Sequence, residues 1–179
     1  MHVRNCRSLV ALLIFACLPF AAARTSVDGK VKFPADDPTF TVEFPPKWTY
    51  SADKDGNLDC ESPDGAEYVF SILILKEIQT EKELRAALPK VAKVMADSAK
   101  IKNFELGEVE TSENGNGVDF IGLRGDGKVD GVDFMVMVHA FEARKGKFYA
   151  IVTAGSTKAD ARNEKDYDEI TASIEPLED

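Results

Sequence analysis

The sequence has few of the side chains that most often carry catalysis or bind metal ions. Its 179 residues include only three cysteines, two histidines and one tryptophan. The spacing motifs of serine hydrolases, zinc proteases, P-loop NTPases and dinucleotide-binding folds are missing. Zinc sites draw mainly on Cys and His ligands, which are too scarce here to form one. These absences predict a non-enzymatic protein without a cofactor.

Long hydrophobic runs are also scarce, and the longest lies at the N-terminus. Arg4 and Arg7 precede the uncharged apolar residues 8–20, which end at three small alanines, 21–23. This order is typical of a secretory signal peptide, which we assign to residues 1–23. The run is shorter than the roughly 20 residues of a membrane-spanning helix, so we expect no membrane span after processing. The mature protein is therefore predicted to be exported, either to the periplasm or out of the cell.

A cysteine inside that run allows a second interpretation. Residues 14–17, Ile-Phe-Ala-Cys, resemble a lipobox, and the alternative is a lipoprotein anchored through Cys17. Cleavage after residue 23 removes Cys6, Cys17 and His2, and it leaves Cys60 and His139 as the last residues of their types. Much of the reactive chemistry of the precursor therefore leaves with the signal.

Both remaining residues lie in predicted strands. Alternation in residues 58–61 places Cys60 beside Leu58 on an apolar face, which predicts a small buried thiol, with a reactive thiol as the alternative. His139 alternates onto the face of Met137 and Phe141, which favours a partly buried strand histidine. A catalytic base would need a nucleophile and an orienting group, and the spacing reveals neither.

Positive charge is in short supply. The chain has 22 Lys and Arg against 31 Asp and Glu, a net charge of −9, and loss of the signal removes two arginines and no acid. Such a field repels phosphate backbones, so a nucleic-acid partner is not expected. It tolerates cationic partners or metal ions. We therefore expect a protein partner in the cell envelope, and the sequence leaves the oligomeric state open.

The clearest acidic pattern is a short turn in residues 53–59. Its four oxygen-bearing side chains are Asp53, Asp55, Asn57 and Asp59. Hard oxygen ligands at alternate positions suit Ca²⁺, and Gly56 supplies the bend. However, Ser51 and Ser62 stand where the first and last ligands of a calcium loop would be. Two interpretations follow, a weak calcium site and a solvated hairpin turn.

Hydrophobic periodicity predicts a chain of strands with two helices. The predicted strands are residues 40–44, 48–50, 58–61, 67–76, 104–111, 118–124, 132–141 and 148–154. Thr80 and Glu83 form a capping box that opens the first helix, which we expect to kink or split at Pro89 and to end near Asn103. Asn163 is predicted to cap the second helix, residues 164–174.

The arrangement of these elements indicates the fold class. Short loops make neighbouring strands antiparallel, and the central strands are apolar on both faces, so both faces must be covered. We therefore predict an α+β fold in which helices cover an antiparallel sheet on both faces. Residues 24–38 are polar, contain two prolines and are predicted to form a flexible arm, and residues 39–179 are predicted to form a single domain.

The order of elements resembles the PsbP-like superfamily, which includes bacterial envelope proteins. The resemblance rests on the segment Phe-Thr-Val-Glu-Phe-Pro-Pro-Lys-Trp at residues 40–48 and on the strand Phe-Tyr-Ala-Ile-Val-Thr-Ala at residues 148–154 before the last helix. It covers roughly residues 33–177. The resemblance implies an α/β/α sandwich and non-enzymatic roles in assembly, binding or stress response, and it assigns no site residues.

Together these features predict a secreted or periplasmic binding or assembly module that docks a protein partner through its acidic surface. The alternative is an envelope protein that binds a metal ion or small ligand weakly, at the acidic turn or in a groove beside the sheet. An exposed apolar patch rimmed by acids would favour the first function. A cluster of converging carboxylates would favour the second.

Overall fold

The computed structural model describes residues 25–26, 29–63 and 67–178. The predicted signal peptide, residues 1–23, and the Cys17 lipobox lie outside the described residues. In chain order the elements are β1 (Thr25–Ser26), β2 (Lys30–Phe33), β3 (Phe40–Glu43), β4 (Thr49–Ala52), β5 (Leu58–Glu61), β6 (Tyr68–Ile74), α1 (Glu81–Ser98), β7 (Lys102–Glu113), β8 (Asp119–Val129), β9 (Val132–Arg144), β10 (Lys147–Ser156), α2 (Thr157–Ser173) and β11 (Glu175–Pro176).

Eight of the strands form one large sheet, in the order β1-β4-β5-β6-β10-β9-β8-β7. Every neighbouring pair is antiparallel. Short turns produce this arrangement, with Gly131 and Gly146 at positive φ between the last three long strands. The predicted antiparallel sheet is confirmed.

A second, three-stranded sheet has the order β11-β3-β2, and both of its pairs are antiparallel. Its strand β2 lies in the segment that was predicted to be a flexible arm, so that prediction is wrong for residues 30–33. The reason is Phe33, which is 2% exposed and packs edge-on against Phe40 and Tyr149, with ring centroids 5.4 and 5.9 Å apart. Burial of this ring holds β2 against the large sheet.

Helix α1 packs on one face of the large sheet. Its buried side chains Leu84, Leu88 and Val91 meet strand residues such as Val138 and Val152. Thr80 caps the helix as predicted, since its Oγ1 accepts the backbone N–H of Glu83 at 3.3 Å.

Two details of the prediction for α1 need comment. Pro89 does not split the helix, because proline removes only one helical hydrogen bond and the buried stripe holds both halves on the sheet; a kink at Pro89 stays a prediction. The predicted end of the helix is wrong: α1 ends at Ser98, and Asn103, the expected stop, is the second residue of β7 and has a positive φ of 53°.

Helix α2 and the small sheet together cover the opposite face. Tyr167 and Ile170 of α2 join Phe40 of β3 and Phe70 of β6 in one buried cluster. Trp48 belongs to it, is fully buried, and donates its Nε1–H to Asp166 Oδ2 at 2.8 Å. The predicted α+β fold is confirmed. The small sheet, which lies in the same layer as α2, was not predicted from the sequence.

The predicted start of α2 is wrong. The helix begins at Thr157, and Ser156 caps it by accepting the backbone N–H of Ala159 at 3.1 Å. Asn163, the predicted cap, lies inside the helix, where it is 3% exposed and donates its Nδ2–H to the Ala159 carbonyl at 2.8 Å. Within the described ranges, no helix combines the length and apolar character needed to cross a bilayer.

Candidate functional site

The acidic turn predicted as a calcium site is a hydrogen-bonded turn between β4 and β5. Asp53 Oδ1 accepts the backbone N–H groups of Asp55 and Asn57 at 2.8 and 2.9 Å, and Oδ2 accepts Asn57 Nδ2–H at 2.9 Å. Asn57 Oδ1 in turn accepts the backbone N–H of Ile74 at 2.9 Å, which ties the turn to β6. These oxygens already serve the protein's own donors, so a cation would have to displace those hydrogen bonds.

Asp59 is engaged separately. Its Oδ1 accepts the hydroxyl of Ser71 at 2.8 Å, and burial raises the pKa of the carboxyl while the Ser71 hydrogen bond partly opposes that rise. In the part of the chain that the structure describes, no group of three or more His, Cys, Asp or Glu side chains converges as metal ligands would. A calcium site at Asp53, Asp55, Asn57 and Asp59 stays a prediction.

Cys60 is the small buried thiol that strand alternation predicts. It is 7% exposed, and burial raises the pKa of its thiol, with the neighbouring Asp59 carboxylate adding to the effect. A reactive thiol needs exposure and a lowered pKa. The side chain therefore acts as a packing residue of the core.

His139 joins the large sheet to α2. Its Nδ1 shares a hydrogen bond with the hydroxyl of Tyr167. The ring lies over Gly122, the residue directly opposite on β8, where a methyl group would overlap ring atoms Cδ2 and Nε2. Burial lowers the pKa of His139, although the Glu110 carboxylate opposes that shift, and burial raises the pKa of Tyr167 well above its usual value. The pair is a neutral packing contact between two layers.

An open groove lies beside the C-terminal half of α2. Its lining residues are Glu43, Phe44, Pro45, Pro46, Glu169, Ala172 and Ser173. Small-molecule sites usually enclose most of the ligand's surface, whereas this depression is wide open to solvent. The groove is therefore a poor match for the small-ligand alternative.

The last strand of the large sheet, β7, has a different character from the other long strands. Eleven of its twelve residues are exposed, and only Phe104 is half-buried. Leu106 and Val109 are 42% and 39% exposed. Because β7 ends the strand order, one of its sides pairs with β8 and the other meets no strand in the described ranges. We call this outer side of Lys102–Glu113 the β7 edge.

Both ends of β7 are nevertheless held in place. At the first end, the ring of Phe104 rests on Gly125 of β8, where a Cβ would overlap ring atoms Cζ and Cε2, and Gly127 leaves room in the same way for the Ile101 side chain and the Lys102 carbonyl. At the second end, the Asn114 amide Nδ2 donates to the α2 carbonyls of Thr171 at 3.0 Å and of Ile174 at 2.9 Å. The strand is therefore ordered by its ends and by its pairing with β8, without burial of its middle.

The β7 edge is strongly acidic. Its four glutamates are Glu105, Glu108, Glu110 and Glu113. None of these carboxylates forms an ion pair with another described residue. Glu105 lies directly opposite Asp126, and Glu113 lies directly opposite Asp119. Like charges at directly opposed positions destabilise a strand pair. Asp126 is compensated by its ion pair with Arg124 at 3.0 Å, whereas no described residue compensates the β7 glutamates in this way.

Sequence reasoning missed this surface. It predicted a strand at residues 104–111 but gave it no function. The available signal was composition, since β7 alone among the long strands carries glutamates on both faces and no continuous apolar face. Position at the end of the sheet, which makes the strand an open edge, depends on non-local pairing and is not encoded in any short segment.

Comparisons with known proteins give a fold and no close relative. No family model matches the sequence, and no curated protein matches it. Among solved structures, cyanobacterial PsbP from Synechocystis is similar at a TM-score of 0.60 and 15% identity, over 92% of this chain and 99% of that one. LpqN from Mycobacterium tuberculosis, described as involved in cell envelope biogenesis, is similar at a TM-score of 0.56 and 11% identity, over 84% of this chain and 91% of that one.

A third structure, from Bacteroides thetaiotaomicron, has a TM-score of 0.56 and 16% identity over 86% of this chain. This chain spans only half the length of that protein, 50%. Sequence identities this low, combined with these TM-scores, show a shared fold but do not show a shared function. The element order, the large antiparallel sheet and these structural neighbours agree on one conclusion: the chain has a PsbP-like α+β fold.

Proposed function

We propose that the protein is an exported, non-enzymatic binding module of the cell envelope that docks a protein partner along the β7 edge. The observation that carries this proposal is the exposure of β7, in which Leu106 and Val109 are 42% and 39% exposed and the neighbouring glutamates form no ion pair with any described residue. An apolar patch rimmed by charge is typical of a protein interaction site. It is also the feature that separates a docking module from an ion-binding protein.

The envelope setting is supported from two sides. Residues 1–23 have the pattern of a secretory signal, and LpqN, which shares the fold, is described as involved in cell envelope biogenesis. The binding role is supported by the state of the reactive groups. Cys60 is buried with a raised pKa, and His139 is committed to Tyr167, which leaves both poorly suited to chemistry on a substrate.

Site-specific photo-crosslinking in cells that express the full chain tests this function. A photoreactive residue replaces Val109 on β7, and the matched control replaces Val69 on β6, which is 43% exposed. We expect a discrete crosslinked protein from position 109 and none from position 69. Double charge reversal by Glu108→Lys and Glu110→Lys should abolish the crosslink, because it reverses the charge on both sides of Val109 without touching the core.

Two outcomes would contradict the proposal. Equal crosslinking from positions 109 and 69 would mean that β7 has no special role in docking. Crosslinks from position 109 that survive the double charge reversal would mean that the acidic rim does not select the partner. Circular dichroism of each variant checks that the fold is intact, which is expected because the substituted residues are exposed.

A further inference from the structure

The β7 edge presents backbone groups that pair with no other strand in the described part of the chain, along an unusually long strand. A strand at the end of a sheet points alternate N–H and C=O groups outward, and these are a template for an added strand. Edge strands in native proteins are commonly very short, whereas β7 runs for twelve residues, Lys102–Glu113. Its ends are held by Phe104 and Asn114, so a partner would find the strand already in shape.

We propose that the β7 edge receives an extended, positively charged protein segment as an added strand, an inference that rests on the proposed docking function. Charge complementarity supports this occupant. The edge carries four glutamates and one lysine, Lys102, and none of the glutamates is neutralised by an ion pair with a described residue. Lysine or arginine side chains on an adjacent strand would lie directly beside these carboxylates.

A second copy of the chain is a poor occupant for the same reason. The glutamates are placed symmetrically about Val109, with Glu108 and Glu110 on its two sides and Glu105 and Glu113 farther out. Antiparallel self-pairing centred on Val109 would set glutamate against glutamate at each of these positions. In any register, such a pair of strands brings eight glutamates together with two lysines. Like charges on adjacent strands repel, so self-association at this edge is disfavoured.

The register of β7 on β8 defines what the added strand should look like. The ladder has irregularities between Lys102 and Glu105 and between Leu106 and Val109, and it is regular from Val109 to Glu113. Bulges discourage pairing, so the added strand should lie along the regular part.

Each face of this regular part has its own chemistry. Val109 and Thr111 lie on the α1 face, opposite Leu123 and Ile121, whereas Glu110 lies on the α2 face, opposite Gly122. Glu113 ends the regular part on the α1 face, opposite Asp119. The complementary segment therefore alternates apolar residues on the α1 face with basic residues on the α2 face, and a further basic residue fits beside Glu113.

Peptide binding to the full chain tests the inference. The probe is a ten-residue peptide of alternating Arg and Val. One control has Glu in place of Arg, and a second keeps every Arg but replaces two central Val residues with Pro, which prevents strand pairing at unchanged charge. We expect the Arg–Val peptide to bind and to slow amide hydrogen exchange at alternate residues of Val109–Glu113 at least tenfold. Glu110→Lys should weaken this binding at least tenfold, and the Glu peptide should not bind.

The controls decide between explanations. Equal binding by the proline peptide, with no slowed exchange in β7, would overturn strand addition in favour of general charge attraction. Sedimentation that shows a dimer dispersed by Glu110→Lys would overturn it in favour of a second copy. If position 109 crosslinks in cells but no peptide protects β7, this inference fails and the docking function stands. If the peptide protects β7 but no crosslink forms, the docking function fails.

Discussion

The contact between Gly122 and His139 provides a sharp test of the packing between the large sheet and α2. Gly122 lacks a positive φ, so its backbone can accept alanine without strain. The methyl group of Gly122→Ala would, however, overlap the imidazole of His139. The imidazole ring cannot shift freely because its Nδ1 is hydrogen-bonded to the hydroxyl of Tyr167, a residue that is itself only 8% exposed.

The expected loss of stability follows from the two ways in which the protein can respond. If the ring stays, overpacking of a full core costs about 1–3 kcal/mol. If the ring swings out, the buried Tyr167 hydroxyl loses its partner, which costs about 1–3 kcal/mol. Replacement of glycine in a strand returns about 0.4–1 kcal/mol through the unfolded chain. We therefore expect Gly122→Ala to lower the free energy of unfolding by about 1–2 kcal/mol, or Tm by about 2–8 °C.

A double-mutant cycle with His139→Ala isolates the contact, measured by urea unfolding. In the His139→Ala background the overlap is gone, so Gly122→Ala should be neutral or stabilising, which gives a coupling of about 1–3 kcal/mol. The matched control is Gly115→Ala in the β7–β8 turn, where a methyl group meets nothing within 4 Å, and it should change stability little. Equal destabilisation by Gly122→Ala in both backgrounds would refute the steric argument.

Four further predictions concern single side chains. Cys60 should not react with a thiol reagent in the native protein and should react fully in denaturant, because it is buried with a raised pKa; fast native reaction would contradict this. Burial lowers the pKa of His139 in the folded state, so protonation of this imidazole favours unfolding. The free energy of unfolding should therefore fall as the pH drops below about 6.5, and it should fall more steeply than in the His139→Gln variant. Asn114→Ala should lower the free energy of unfolding by about 1–3 kcal/mol and speed amide exchange in the last turn of α2, whereas the exposed Glu113→Ala should do neither. Calorimetric titration should show Ca²⁺ binding at Asp53 no tighter than millimolar, since its oxygens already accept backbone donors; a micromolar constant would contradict this.

The parts of the fold that were predictable carry their signal locally. Strands β6, β9 and β10 are recognisable in the sequence because their residues are apolar on both faces. Helix α1 is recognisable from its N-cap, Thr80, and from the helical spacing of its buried residues. The start of α2 is different. Its first turns bury only Ala159 and Asn163, a small residue and a polar one, so periodicity gives no sign of a helix there. Two of the four residues of strand β2 are lysines, and the strand is held in place because Phe33 packs against aromatic rings.

The functional surface was harder to predict because its essential property is position. A mixed, glutamate-rich strand is compatible with an interior strand of a half-exposed sheet or with an edge. Only the pairing order β9-β8-β7 decides that the edge is open. In the same way, the hydrogen bond between His139 and Tyr167 joins residues 28 positions apart, and Asn114 reaches α2 carbonyls 57 and 60 positions away. No local pattern records such contacts.

The glutamates of β7 have opposite effects on self-association and on docking. An exposed long edge with Leu106 and Val109 invites pairing with any free strand, and charge is a common protection against it. The negative charge of β7 repels the same strand of an identical chain but attracts a basic segment. The charge that protects the edge against self-pairing therefore also selects the partner. The energies are modest, since an exposed ion pair contributes about 0.2–1 kcal/mol and a backbone hydrogen bond about 0.5–1.5 kcal/mol net. Four or five such bonds over Val109–Glu113 with two ion pairs amount to roughly 2–10 kcal/mol before the entropy of association, which fits reversible docking and not permanent assembly.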